Sequence, residues 1–458
     1  MALTSRRLGG LTVVRENLNR RFAISNRSQY LRILLISSNR HDRFAGSLPI
    51  RPIPLGLAIL LGALRETHHS VRLLDLMFSR SPRQAIRLAL REFSPDLIGI
   101  SVRNLDAIGG RSATSFLPDI RTWIATCRQE SQAPIALGGP AVSLLPREAF
   151  AVLEPDFILA GDASRTFPEL ATRLERGDSY EDLPGLAFRA RGDIRLNPAS
   201  PWEGRAVAPR YDGLDLPRYE AAGYGVAVLT KAWPYIRAHG PTPMSAVGEP
   251  IPRPMPDLLA DLRELRTRFD SRKVFLSDSG FNVPLPAAKA LCRALRDARL
   301  NLVWATGLQP GHMDEELANL MHEAGCRMAL LAGPGPAQEP LTDLDRHLTE
   351  LAATAEPLHA AGVPLVLTVI LGRPGETRET VDRTLALVAR LHPSHVQLSA
   401  GVRILPFTPL AERAKAEGLI RTDGDCLHPV LYLVPDLREW LPGRLRTAAR
   451  GHPSWHAI

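Results

Sequence analysis

The fold is decided by the segment PDLIGISV, residues 95–102, in which an apolar run follows a proline and an aspartate. A short uncharged run of this kind is typical of a strand that is buried on both faces of a sheet. Four similar runs occur in the first part of the chain, at 31–36, 71–74, 135–137 and 157–159. Longer amphipathic segments separate them. This alternation of strands and helices predicts an α/β domain with a doubly wound parallel sheet over residues 31–180.

A second series of the same type follows in residues 223–420. Its predicted strands are 226–229, 274–276, 302–305, 328–331, 365–370 and 396–398. A closed eight-fold barrel usually needs about 250 residues, so six units predict either a partial barrel or a second open sheet. Residues 181–222 are rich in Pro, Gly and charge, which indicates a linker with one hairpin. Residues 1–30 and 421–458 are interpreted as terminal extensions.

Composition excludes several classes of protein. The 458 residues are 45% hydrophobic and 23% charged, which is typical of a soluble globular chain. The net charge of +8, from 56 basic and 48 acidic residues, is scattered along helical segments, so we expect no nucleic-acid partner. The sequence contains no apolar run of membrane-spanning length, and we expect a cytoplasmic protein without a membrane partner. Four widely spaced cysteines predict reduced, buried thiols and no metal site.

Polar and glycine-rich segments follow four of the predicted strands in the first domain. Carboxyl ends of parallel strands meet at one edge of a sheet, where ligands bind, and glycine lets the backbone approach a ligand closely. We therefore predict a ligand site at this edge. The candidate residues are Asn39, Arg40, His41, Pro54, Leu55, Ser101, Arg103, Asn104, Gly138, Gly139, Pro140, Gly161 and Asp162.

These segments carry a resemblance to a known family. The stretches PLGLA (54–58), VRLLD (71–75), PDLIGISV (95–102) and LGGP (137–140) resemble the cobalamin-binding domain of class B radical SAM enzymes. Further stretches are similar to landmarks of the family's barrel: VAVLTK (226–231), FLSDSGFN (275–282), LGRPGET (371–377) and ILPFTPL (404–410). The resemblance implies a Rossmann-like cobalamin-binding domain followed by a partial (β/α)6 TIM-like radical SAM barrel. The motif Asp-x-His-x-x-Gly, which supplies a histidine ligand to cobalt, is missing from the sequence. The resemblance therefore implies that cobalamin is bound without a histidine ligand from the protein.

The motif that defines the family's chemistry is also missing. The family carries three cysteines, spaced CxxxCxxC, that hold a [4Fe-4S] cluster whose open iron binds S-adenosylmethionine (SAM). When the sequence is aligned on Pro234 and Tyr235, the three cysteine positions hold Trp233, Arg237 and Gly240. None of these side chains ligates iron. We therefore predict that the protein has no [4Fe-4S] cluster.

The resemblance also implies a SAM site at the strand ends of the barrel. Without iron to hold the amino acid end of SAM, Arg237 or Lys231 is the predicted partner of its carboxylate, because arginine pairs bidentately with planar anions. Trp233 is predicted either to stack on the adenine or to fill the volume of the missing cluster. The remaining candidates for contacts with SAM are Ser277, Ser279, Thr368 and Arg403.

The predicted function is a cobalamin- and SAM-dependent transferase that works by a polar, non-radical Co(I)/alkyl-Co(III) mechanism. Attack on the methyl group of SAM would make it a methyltransferase of specialised metabolism. Attack on the γ-carbon would release methylthioadenosine and form a cyclopropane amino acid, with His239, Tyr235 or Asp278 as the base. A non-catalytic cobalamin-binding protein is the alternative of another class. An enzyme would need a small-molecule substrate and an external reductant for cob(I)alamin.

Overall fold

A computed structural model describes residues 30–38, 51–109, 112–199, 207–232, 251–278 and 280–458. The strands of the first domain are β1 (Arg32–Ser37), β2 (Ser70–Asp75), β3 (Leu97–Ser101), β4 (Asp106–Gly109), β5 (Ser112–Ser115), β6 (Ile135–Gly138), β7 (Phe157–Leu159), β8 (Leu186–Ala190) and β9 (Asp193–Leu196). Its helices are α1 (Leu55–Arg65), α2 (Pro82–Phe93), α3 (Leu117–Glu130), α4 (Pro140–Leu144), α5 (Pro146–Leu153) and α6 (Ala163–Arg176).

The first sheet has the order β2-β1-β3-β6-β7-β8-β9. Strands β1, β2, β3, β6 and β7 are parallel, and the order reverses beside β1, so the sheet is doubly wound as predicted. The hairpin expected in the linker forms β8 and β9, but it is not a free connection. Strand β8 pairs antiparallel with β7, and the pair extends the first sheet.

Helices cover both faces of this sheet. On one face, α1 and α6 bury Leu57 and Phe167 against the side chains of Leu35 and Leu159. On the other face, α2 and α3 pack on the alternate side chains of the same strands, Ile36 among them. Apolar residues on both faces of a strand explain the continuous apolar runs in the sequence.

The second domain contains the longer series of elements. Its strands are β10 (Val226–Leu229), β11 (Lys231–Ala232), β12 (Ile251–Pro252), β13 (Lys273–Ser277), β14 (Val303–Leu308), β15 (Cys326–Gly333), β16 (Leu365–Leu371), β17 (His395–Ala400), β18 (Val402–Arg403), β19 (Leu431–Tyr432) and β20 (Trp455–Ala457). Its helices are α7 (Leu216–Ala221), α8 (Met255–Arg268), α9 (Leu285–Ala298), α10 (Glu315–Glu323), α11 (Leu344–Ala360), α12 (Arg378–Arg390), α13 (Pro409–Ala416) and α14 (Leu441–Arg450).

The second sheet is parallel throughout, with the order β10-β13-β14-β15-β16-β17-β20. Its first six strands are those predicted from the sequence. The seventh, β20, comes from the segment interpreted as a C-terminal extension and pairs with β17. One face of the sheet packs on the helices, and the other carries a separate small cluster of Ala305, Met328 and Val366. Side chains that meet on the face away from the helices are those expected inside a barrel.

The two domains share buried contacts. The segment after β17 places Val402, Ile404 and Tyr432 in the same hydrophobic cluster as Ile120 and Trp123 of α3. The second domain therefore packs on the first through its C-terminal part as well as through the connection between them. Among the described residues, no helix combines the length and the apolar character needed to cross a membrane.

Candidate functional site

A cavity of about 610 Å³ lies at the carboxyl edge of the first sheet. Strands β1 and β3, between which the strand order reverses, form its floor together with β6 and β7. Helices α1 and α6 form its walls with mostly apolar side chains such as Leu57 and Phe167. The edge brings together six of the residues that the sequence predicted for this site: Ser101, Gly138, Gly139, Pro140, Gly161 and Asp162.

Three glycines on the border of the cavity face open space. A Cβ atom added at Gly56 would have no atom within 4 Å, and at Gly138 or Gly161 its nearest neighbour would be 3.9 Å away. Side chains at these positions would therefore occupy the cavity itself. A mostly apolar cavity that is bordered by backbone without side chains suits an organic ligand that approaches the backbone closely.

Gly139 has a different role from the one that the sequence suggested. It was selected because glycine lets the backbone approach a ligand closely. Its φ is +107°, and an added Cβ would lie 2.5 Å from the carbonyl oxygen of Val102. Glycine is thus required where the turn after β6 passes the end of β3. A substitution at Gly139 would disturb the fold, so its effect would not report on contact with a cofactor.

Ser143, which was not predicted from the sequence, connects two of the cavity loops. The hydroxyl of Ser143 donates to the carbonyl of Gly139 at 2.9 Å and accepts from the amide of Gly161 at 3.0 Å. The carboxylate of Asp162 accepts from the amide of Ser164 at 2.9 Å and caps α6. Ser143 and Asp162 therefore set the shape of the cavity edge through backbone contacts.

The other candidates from the first domain lie beside the cavity or outside the described residues. Pro54 precedes α1, and Leu55 packs against the core of the second domain, so they position the helix without lining the cavity. Arg103 and Asn104 lie in the loop between β3 and β4, and neither lines the cavity. Three predicted residues fall outside the part of the chain that the structure describes: Asn39, Arg40 and His41.

At the barrel edge, Lys231 is buried in a network of its own. Its ammonium group donates to the carbonyls of Gly280 at 2.6 Å and Phe281 at 3.0 Å, and also to that of Val283. The carboxylate of Asp278 lies 3.0 Å from the same nitrogen. Burial lowers the pKa of Lys231, and the Asp278 charge opposes this shift. These contacts use the ammonium group, so the structure does not support Lys231 as the partner of SAM's carboxylate.

Asp278 is enclosed in the same network. Its carboxylate accepts from the hydroxyl of Thr230 at 2.6 Å and from the amide of Gly280 at 3.1 Å, and its side chain is 1% exposed. A base must reach the proton that it removes. The carboxylate of Asp278 is buried against other groups of the protein, so the predicted role of Asp278 as a base is not supported. Its contacts indicate that it holds the loop after β13.

Arg403 also has a structural role in place of the predicted ligand contact. Its guanidinium donates to the carboxylate of Asp106 from two nitrogens, at 3.0 and 2.8 Å. The same group donates to the carbonyls of Ile404 and Cys426. The hairpin of β4 and β5 belongs to the first domain, so Arg403 joins the two domains.

Ser277 and Thr368 keep positions suited to a ligand. Both are partly exposed. In β16, Thr368 alternates with Leu367 and Val369, which pack on the helices, so its side chain points to the other face of the sheet. The same alternation with Leu276 places Ser277 on that face. Five further candidates, Ser279, Trp233, Tyr235, Arg237 and His239, lie outside the described residues.

The motif GRPGET, residues 372–377, holds two barrel loops together. Arg373 is 1% exposed and donates to the carbonyls of Pro334 and Pro336 in the loop after β15. Glu376 is buried beside it and accepts from the amide of Gly372. Burial raises the pKa of Glu376 and lowers the pKa of Arg373. The motif is thus a buried charged pair at the rim of the barrel.

The four cysteines are buried thiols, as predicted. Burial raises the pKa of Cys127 and Cys326 to about 12 and the pKa of Cys426 to about 11. It also raises the pKa of Cys292. Cys326 begins β15, whereas Lys231 follows the end of β10, so these two residues lie at opposite edges of a parallel sheet.

One group of side chains in the first domain has the composition of a metal site. Ligand atoms of His68, His69 and Glu175 lie within 4.8 Å of one another. However, Nδ1 of His69 accepts a hydrogen bond from the amide of Leu31 at 3.3 Å, which places the ring proton on the buried Nε2. A nitrogen that carries this proton is a donor and not a metal ligand. The group therefore does not favour a metal.

The fold and the cavity define an α/β protein in which a doubly wound domain with a cavity at its carboxyl edge is joined to a second, parallel sheet of the barrel type. A family model described as "B12 binding domain" matches residues 45–171. The match confirms the resemblance that the sequence indicated for the first domain, and it includes the carboxyl edge of the sheet where the cavity lies.

Similar proteins extend the comparison to both domains. An uncharacterized methyltransferase of Pyrococcus horikoshii is 24% identical, with 81% of this chain and 80% of that protein covered. Tryptophan 2-C-methyltransferase of Streptomyces laurentii is 25% identical, with 78% and 71% covered. The solved radical SAM methyltransferase TsrM from Kitasatospora setae, with cobalamin and a [4Fe-4S] cluster bound, matches with a TM-score of 0.76 and 20% identity over 93% of this chain and 92% of that one. The structure of OxsB, a cobalamin-dependent SAM radical enzyme, matches with a TM-score of 0.64 and 16% identity, over 92% and 66%. The predicted two-domain fold is therefore confirmed.

Proposed function

We propose that the protein is a cobalamin-dependent methyltransferase that takes its methyl group from SAM and acts on a small molecule. The observation that carries this proposal is the cavity at the edge of the first sheet, which is bordered by bare glycines and reached by a residue of the second domain, Gln309. The relatives that match over most of this chain are named as methyltransferases, which supports the same function.

The cavity residues would hold cobalamin through shape and apolar contact. Gly56, Gly138 and Gly161 leave room for the cofactor, while Leu57 and Phe167 exclude water from its surroundings. When bound, cobalamin supplies a cobalt nucleophile suited to moving a methyl group between two other molecules. Ser143 and Asp162 keep the loops in place, because their hydrogen bonds fix the backbone at the cavity edge.

The barrel would hold SAM on its inner face. Ser277 and Thr368 offer hydroxyl groups there, and Ala305, Met328 and Val366 close the barrel beneath them with apolar side chains. Two buried ion pairs, Lys231–Asp278 and Arg373–Glu376, would keep the edge of this face in place, because each fixes a loop that follows a barrel strand. We keep Arg237 as the partner of the SAM carboxylate in this proposal.

We further propose that transfer is polar and proceeds without a [4Fe-4S] cluster. The positions where the family has cysteines hold Trp233, Arg237 and Gly240. The four thiols of the chain are all buried, each in a different element. TsrM was solved with a cluster bound, so this chain would differ from that protein in the way it holds SAM.

A single-turnover reaction tests the proposal without a known acceptor. Protein loaded with cobalamin and reduced to the Co(I) state is mixed with SAM, and the nucleoside products are separated. We expect S-adenosylhomocysteine in proportion to enzyme. Methylthioadenosine would indicate attack on the γ-carbon instead, and 5′-deoxyadenosine in proportion to product would contradict the polar mechanism. If no product forms from SAM, the protein is a cobalamin-binding protein without this activity.

A further inference from the structure

Gln309 connects the second domain to the cavity of the first. It directly follows β14, and the other described residues that line the cavity all belong to the first domain. Its side chain is partly exposed. Gln309 was not among the residues predicted from the sequence, although it follows a predicted strand as they do.

The backbone of Gln309 is held by a buried asparagine. The amide of Gln309 donates to Oδ1 of Asn282 at 2.9 Å, and Nδ2 of Asn282 donates to the carbonyl of Gln309 at 2.7 Å. The same nitrogen donates to the carbonyl of His312 at 2.7 Å. Asn282 is completely buried. Three hydrogen bonds from one buried side chain fix the loop that carries Gln309.

The side chain of Gln309 is held by a glycine on the neighbouring loop. A Cβ atom added at Gly280 would lie 2.8 Å from Nε2 of Gln309 and 3.0 Å from its Cδ. The amide of Gln309 therefore rests on the bare backbone of Gly280. That backbone is fixed in turn by Lys231, which binds its carbonyl, and by Asp278, which binds its amide. The buried Lys231–Asp278 pair thus supports the position of Gln309.

We propose that Gln309 contacts the bound cobalamin and that Gly280 and Asn282 are positioning residues for it. A neutral amide offers one acceptor and two donors. The periphery of the corrin ring carries amide groups with the same donors and acceptors. An uncharged contact also adds no charge beside a metal that changes its oxidation state. This inference rests on the proposed function and adds a residue from the second domain to the cofactor site.

The test is a double-variant cycle on Gln309 and Gly280. Gln309→Ala removes the amide, and we expect it to weaken cobalamin binding by about 2- to 12-fold, as for the loss of one neutral hydrogen bond. Gly280→Ala adds a methyl group that displaces the flexible amide, and we expect a loss of similar size. In the double variant the loss should equal that of Gln309→Ala alone, because the methyl group then has no amide to displace. Exposed Gln132→Ala is the control.

Affinity is measured by absorbance titration with aquacobalamin, and thermal unfolding of the cobalamin-free variants is measured alongside. Equal affinity for cobalamin in the parent protein and in Gln309→Ala would overturn the proposed contact between Gln309 and cobalamin. Losses that add in the double variant would overturn the positioning role of Gly280, because a structural effect of the methyl group does not depend on Gln309. A parent protein that does not bind cobalamin would instead overturn the proposed function, so the two failures are distinguishable.

Discussion

The wall of the cavity at Gly56 allows the cofactor site to be tested without disturbing the fold. Gly56 is the second residue of α1, and an added side chain would meet no protein atom within 4 Å. Glycine in a helix costs about 0.5–1 kcal/mol relative to residues that form helices well. In Gly56→Leu we therefore expect the free energy of unfolding of the cobalamin-free protein to stay the same or to rise by about this amount.

In contrast to the free energy of unfolding, the affinity of Gly56→Leu for cobalamin should fall. The new side chain occupies part of the cavity, and overpacking a fitted space costs about 1–3 kcal/mol. This cost corresponds to a dissociation constant for cobalamin that is about 5- to 150-fold higher. Absorbance titration with aquacobalamin measures the binding, and urea denaturation measures the free energy of unfolding.

The matched control is Gly443→Leu on α14. Gly443 is also a helix glycine, and the nearest atom to an added Cβ there is 4.0 Å away, but it does not border the cavity. We expect it to leave cobalamin affinity unchanged. The reasoning is refuted if Gly56→Leu binds cobalamin as tightly as the parent protein, since the cofactor would then lie elsewhere.

Three further predictions concern the cluster, SAM and the buried network. After anaerobic reconstitution with iron and sulfide, the protein should contain about one cobalamin and no iron by elemental analysis. About four iron atoms per chain, with the absorbance of a cluster, would contradict the polar proposal. Arg237→Ala should raise the dissociation constant for SAM by about 10- to 100-fold without changing cobalamin affinity, because a charged hydrogen bond is worth about 1.5–3 kcal/mol. If calorimetry shows the same SAM affinity in the parent protein and in Arg237→Ala, Arg237 does not bind the SAM carboxylate. Lys231→Met leaves the carboxylate of Asp278 buried without its partner, so the free energy of unfolding should fall by about 3–5 kcal/mol in urea denaturation. A change near zero would mean that the pair does not support the loop.

The strand-end residues show how far local patterns reach. Ser101, Gly138, Gly139 and Gly161 were selected because they follow buried strands, and the structure brings them to one cavity. Their meeting follows from the fact that parallel strands end at a common edge of the sheet. The different roles of the glycines could not be predicted in this way. The positive φ of Gly139, and the carbonyl 2.5 Å from a Cβ added there, depend on how the turn after β6 passes β3.

Charged residues show where local patterns fail. Lys231 was interpreted as a partner of the SAM carboxylate, Asp278 as a base and Arg403 as a contact of SAM, on the basis of their side-chain chemistry and the family resemblance. In the structure each has protein partners instead, and for Arg403 the partner is Asp106, 297 positions away in the chain. The partner of a charged side chain depends on which loops and domains become neighbours, and no local pattern contains this information.

The sequence by itself determined the strand and helix series, the edge of the first sheet where the cavity lies, and the absence of the CxxxCxxC motif. These conclusions follow from residue identity and from periodicities of a few residues, which are local properties. Only the tertiary structure decided that β20 joins the second sheet, that β8 and β9 extend the first, and that Gln309 reaches the cavity. Each of these depends on the order of strands and the packing of two domains, because contacts between distant segments form only when the whole chain folds.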